Sequence, residues 1–179
     1  GFFHYLVTCG MDQKVYIYDL VTLQYKATRT GHTAGVCCLA YDGRSLIFAG
    51  GFDFNIIAWD LDAEIDRPIF QLWGHESPVT KIVSMGATDR CISLDSSGKI
   101  YFWDISKSNP NDKEARQIDS FSYVDDKICS FDIFQNVSSN FSTAHQFFMA
   151  CQGRRQHIYK IKDLTPKESP PIAKGGIFS

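Results

Sequence analysis

Two histidines, His32 and His75, each follow a glycine and stand 43 residues apart. An imidazole can serve as a general base, a metal ligand or a buried polar anchor. Base chemistry needs a nucleophile and an orienting acid at set spacings. Ser and Asp are plentiful, but the chain has no nucleophile elbow, no phosphate-cradling glycine loop and no histidines at metal spacing. The in-register return of Gly-His points instead to a structural role. A histidine between strands is costly unless its polar atoms are paired, and a nearby Ser or Asp can supply the partner. The sequence thus assigns no catalytic residue, no metal ligand and no cofactor.

The other reactive residue types give similar answers. Cys9, Cys37, Cys38, Cys91, Cys129 and Cys151 contain no Cys-x-x-Cys pair to close a tetrahedral zinc site. Most lie among Val, Leu, Ile, Phe and Met, where cysteine acts as a small buried hydrophobe, and the compartment rule predicts a reduced, intracellular chain. On that reading Asn136-Val137-Ser138 and Asn140-Phe141-Ser142 are loop residues rather than glycosylation sites. The run Asp60-Leu61-Asp62-Ala63-Glu64-Ile65-Asp66 imitates a calcium loop, but Ile65 replaces the sharp-turn glycine and Gln71 the bidentate Glu. It reads as a solvated acidic loop. Residues 153–179 carry six Lys or Arg against two acids, which makes Arg154, Arg155, Lys160 and Lys162 candidate anion-binding residues.

What must position these residues is a repeat. YLVTCGMDQKVYIYDL (5–20), LIFAGGFDFNIIAWDL (46–61), RCISLDSSGKIYFWDI (90–105) and, degenerately, QFFMACQGRRQHIYKI (146–161) align with one another. Their closing dipeptides, Tyr18-Asp19, Trp59-Asp60, Trp103-Asp104 and Tyr159-Lys160, are separated by 41, 44 and 56 residues. Each segment reads as strand, tight turn, strand. Apolar runs after Gly-His (36–41 and 79–83) and before it (25–28 and 69–73) add two more strands per unit. Four short antiparallel strands per ~43 residues is the pattern of a propeller blade.

On these residues the chain resembles the WD-repeat β-propeller family. The resemblance implies an all-β fold with about four blades, part of a larger ring of seven blades or more. Blade boundaries follow: an incomplete first blade at 1–30 that opens in mid-blade, a second at 31–74, a third at 75–122, a degenerate fourth at 123–164, and a Pro/Gly-rich tail or outer strand at 165–179. The remaining blades would come from flanking sequence or another chain. In that family a Gly-His histidine bonds a strand Ser or Thr, which bonds a turn Asp, and a Trp completes the network. The second unit offers His32, Asp53 and Trp59, with Ala49 where Ser or Thr is expected. The third offers His75, Ser93 and Trp103, with Ser97 in place of the turn Asp. The first offers Thr8 and Asp12, with Tyr18 for Trp, and the fourth keeps Tyr159 alone. No unit reads as a complete network.

Insertions at 106–117 and 135–145 are polar and turn-rich, and read as solvated loops. Around Asp53 the resemblance puts Phe52 and Phe54 in a turn that shares one face with the Gly-His loops. Strand alternation around Leu72 points Trp73 outward, so these three aromatics form a candidate protein-binding rim. A near-balanced charge, 18 bases to 20 acids, argues against a nucleic-acid binder, and no apolar run approaches the ~20 residues of a membrane span. The expected function is a non-catalytic scaffold that docks other proteins within a large assembly. Phrases such as GHTAGVCCLAY and FAGGFDFNIIAWD are similar to large WD-repeat proteins of cilia and flagella, some with EF-hands, which implies an axonemal, microtubule-associated setting in the cytoplasm. The competing expectation is a phosphoinositide- or phosphate-binding propeller that uses the basic last quarter. The lipid-binding Phe-Arg-Arg-Gly motif of some propellers is not matched, since Gly153 precedes the arginine pair and Gln156 follows it.

Overall fold

Fourteen strands and no α-helix make up the described part of the computed structural model, which covers residues 4–85, 88–106, 116–123, 126–136 and 146–161. Within it, the side chains of 116, 135, 136, 146, 147, 159 and 160 are not described. The strands form four antiparallel meanders. The first joins β1 (Tyr5–Cys9), β2 (Val15–Asp19) and β3 (Gln24–Arg29). The second joins β4 (Val36–Tyr41), β5 (Leu46–Gly51), β6 (Ile56–Asp60) and β7 (Phe70–Leu72). The third joins β8 (Val79–Ser84), β9 (Arg90–Asp95), β10 (Ile100–Asp104) and β11 (Arg116–Phe121). The fourth joins β12 (Ser130–Asn136), β13 (Gln146–Gln152) and β14 (Gln156–Ile161). β11 starts inside the predicted 106–117 loop and β12 runs one residue past the predicted start of the 135–145 loop; the rest of both insertions, and the 165–179 tail, lie outside the described residues.

Alternation decides which way each strand faces. In β2, Val15 and Ile17 point into a core shared with Ile47, Ala49, Ile57 and Trp59 of the second sheet. The other face of that sheet, Leu46, Phe48, Ile56 and Ala58, packs on Cys91, Tyr101 and Trp103 of the third. Ile92, Leu94, Ile100 and Phe102 then meet Phe131, Met149 and Cys151 of the fourth. Every residue of β5 is buried, because both its faces are covered. Bulges interrupt β4 after Val36 and β8 after Val79, at the same point of the two repeats.

Candidate functional site

The second, third and fourth sheets each fasten the loop that enters them to the turn between their second and third strands. The loop must bend through a conformation with positive φ, and Gly31 (φ 137°) and Gly74 (φ 142°) supply it. That delivers His32 and His75 into the sheet, both buried.

The third sheet holds a complete network. Trp103 Nε1–H donates to Ser93 Oγ at 2.7 Å, and Ser93 Oγ lies 2.6 Å from His75 Nε2. His75 Nδ1 is 3.2 Å from Asp95 Oδ2. Because Ser93 already accepts from Trp103, its hydroxyl hydrogen is directed at His75 Nε2, leaving Nδ1–H to face Asp95. Burial pushes the His75 pKa down, against the opposing pull of Asp95, which keeps the ring neutral in this tautomer. Here the structure corrects the reading of Ser97 as the substitute for a turn Asp. Asp95, two residues earlier, supplies the carboxylate, and its Oδ1 accepts from the N–H groups of Ser97 and Lys99. Ser97 adds its own hydroxyl to the same oxygen.

The second sheet keeps half of this network. His32 Nδ1 is 2.8 Å from Asp53 Oδ2, which also accepts from Thr33 N–H. Ala49 occupies the serine position, and His32 Nε2 and Trp59 Nε1 are buried with no hydrogen-bond partner. The ring pair is nonetheless placed as in the third sheet, with centroids 5.9 Å apart for His32–Trp59 and 5.7 Å for His75–Trp103. In the first sheet Thr8 sits opposite Tyr16, and Asp12 is exposed and accepts from Tyr16 Oη. That bond holds the Asp12 carboxyl below the usual range.

The fourth sheet reverses the polarity, which the sequence reading missed. Asp126 stands four residues before β12, as His32 and His75 stand before β4 and β8. Its carboxylate accepts from the backbone N–H groups of Arg154 and Arg155 at 2.6 and 3.0 Å, and His157 Nε2 lies 3.2 Å away. Those two backbone bonds hold the Asp126 carboxyl below the ordinary range. The signal available in sequence was the spacing to the next strand, not the residue type. The arginine side chains are exposed, while the backbone donors of their turn are occupied by Asp126. The side chain of Lys160 and the whole of Lys162 lie outside the described residues.

The three rim aromatics are surface residues: Phe52 is 46% exposed, Phe54 40% and Trp73 52%. Phe54 has φ 65°, where Gly98 lies in the third turn at φ 93°. A bulky side chain there is strained. Ile56 pairs with Leu72, so Phe54 and Trp73 flank the same end of the β6–β7 pair. On the other side Phe52 N–H donates to Gly35 O, and Gly35 packs against Met11, itself 72% exposed.

The remaining candidates are tied down or apart. Asp66 accepts from Thr30 N–H and its hydroxyl, and buried Arg29 reaches the carbonyls of Asp60 and Ala63. The acidic loop is therefore stapled to the first sheet. The six cysteines are free thiols. Burial pushes Cys151 up to about 12 and Cys38 and Cys91 higher still, whereas Cys37 and Cys129 are exposed.

Comparison with known proteins gives the same architecture. Residues 23–60 match the model of the WD domain, G-beta repeat. The chain is 29% identical over 104 residues to cilia- and flagella-associated protein 337 B of Tetrahymena thermophila, covering 58% of this chain and 8% of that protein. It is 27% identical over 108 residues to an uncharacterized WD repeat-containing protein of Schizosaccharomyces pombe, covering 60% and 29%. A WD repeat and FYVE domain-containing protein 2 of Caenorhabditis elegans is 31% identical over 78 residues, covering 43% and 19%. The matches thus span less than a third of each relative's length. The matched repeat at 23–60, these relatives and the four blade-like antiparallel sheets together make the chain similar to WD-repeat proteins.

Proposed function

We propose that this chain is a non-catalytic docking segment that binds other proteins through the aromatic rim of its second sheet. The observation that carries the reading is Phe54: an exposed aromatic held at positive φ in a turn where the third sheet has glycine. An energetic cost of about 1–3 kcal/mol at an exposed side chain is a mark of function rather than of packing. Phe52, Trp73 and Met11 extend it into an apolar ridge of the kind that anchors interfaces.

The similarity to a Tetrahymena protein named for cilia and flagella supports an axonemal setting. Fold alone does not select a partner. Cross-linking in isolated axonemes, followed by identification of peptides joined to the second sheet, tests both parts. Phe54→Ala with Trp73→Ala should remove those cross-links while leaving the thermal melt unchanged. Loss of the folded protein, or undiminished cross-links, counts against the rim. Phe54→Gly provides the sharper variant: it relieves the turn, stabilises the fold by about 1 kcal/mol and still weakens docking.

A phosphate-binding role for the last quarter has less support. The Arg154 and Arg155 N–H groups, the donors that would cradle a phosphate, already end on Asp126.

A further inference from the structure

The entering loops and the turns they bind lie together at one end of the sheets, and that end has two chemically different halves. On the first and second sheets it exposes Met11, Phe52, Phe54 and Trp73. On the third and fourth it exposes Lys127, Arg154 and Arg155, with Lys99 half-exposed. The carboxylates of the basic half are turned inward. Asp95 faces His75 and its own turn, and Asp126 faces the 153–155 turn and His157. Among the described residues of that half the outward acid is Glu76, 4.0 Å from Lys99.

The two basic sheets are contiguous. A Cβ at Gly98 would lie 2.9 Å from Lys127 Cγ, and Lys127 directly follows the Asp126 that holds the arginine turn. Among the described residues the opposite end of the strands has the other sign, with Asp60, Asp62, Asp89 and Asp104 against Arg44 and Arg90. The near-zero net charge therefore conceals a polar molecule.

Resting on the docking reading above, we infer that the partner is an acidic polypeptide segment. Its apolar anchors sit on Phe52, Phe54 and Trp73, and its carboxylates run toward Lys99, Lys127, Arg154 and Arg155. Bases spread along a rim suit carboxylates strung along a chain. A concentrated phosphate dianion would need the converging backbone donors that Asp126 has taken.

The test is selection of a random dodecamer peptide library displayed on phage against the whole chain. Recovered peptides should pair aromatic or aliphatic residues with an acidic run, and their binding should weaken with added salt. Lys127→Glu with Arg155→Glu should weaken them about tenfold, a loss of about 1.4 kcal/mol. Phe54→Ala with Trp73→Ala should abolish binding, with unchanged circular-dichroism melts as the control for folding. Peptides without acidic bias, insensitive to salt, overturn this inference and leave the docking reading standing. Peptides indifferent to the aromatic pair, or no enrichment at all, overturn both. Flotation with phosphatidylserine vesicles that is lost in the charge-reversed variant would make the bases a membrane contact and overturn the polypeptide assignment.

Discussion

One hydroxyl separates the second sheet from the third. Ser93 Oγ serves two buried nitrogens, His75 Nε2 and Trp103 Nε1, and Ala49 leaves the corresponding His32 Nε2 and Trp59 Nε1 unpaired. Ala49→Ser should therefore stabilise the chain by about 1 kcal/mol in urea unfolding, and Ser93→Ala should destabilise it by about 1–3 kcal/mol, since it orphans two buried groups. Equal effects of opposite sign are not expected, because Ala49 sits in a packed core with Ile57 and Trp59. His75 carries a pH signature as well. Its folded pKa lies below the ordinary imidazole value, so protons bind the unfolded state more readily. Its contribution is intact above about pH 6.5 and declines as pH falls through its folded pKa. An NMR titration of the His75 ring should give a midpoint below 6.5, the ordinary value, and a midpoint at or above it would refute the neutral-ring network.

At the scale of the element, the loop-to-turn fastening is kept while its chemistry changes. In the second and third sheets a histidine meets a carboxylate of the turn; in the fourth a carboxylate meets the turn's backbone. That last arrangement requires Gly153, because a methyl there would run into the Asp126 carboxylate. Gly153→Ala should lower the melting temperature and speed amide exchange at Arg154 and Arg155, and unchanged exchange at those two amides would show that the turn is not held by Asp126. These elements also show what was legible in the residues. Strand–turn–strand units and Gly-His pairs recur at fixed spacing, so the fold class could be read directly, whereas His32, Asp53, Trp59, His75, Ser93 and Trp103 were singled out through the resemblance to the WD-repeat family. Asp95 was passed over in favour of Ser97 because motif alignment counts four residues from the serine, whereas a carboxylate two residues along can turn back on the same hairpin. Asp126 was missed because a motif search looks for histidine, while the geometry asks only for a polar group that can reach the turn.

At the scale of the molecule, three apolar cores alternate with four sheets among the described residues, and every core draws on two of them. Arg29 adds a polar stitch, joining the last strand of the first sheet to the 60–63 segment of the second. Native-state hydrogen exchange should accordingly be slowest in β5, β6, β9 and β10, which are covered on both faces, and faster in β1–β3 and β12–β14. A uniform exchange profile would contradict that layering. Because no sheet owns a core outright, the sheets behave as a chain of neighbours whose stability sits in the junctions. A protease that nicks β3 does not simply remove one blade. It withdraws half the lining from around Ile47, Ile57 and Trp59, and hands the damage to the sheet that carries the docking rim.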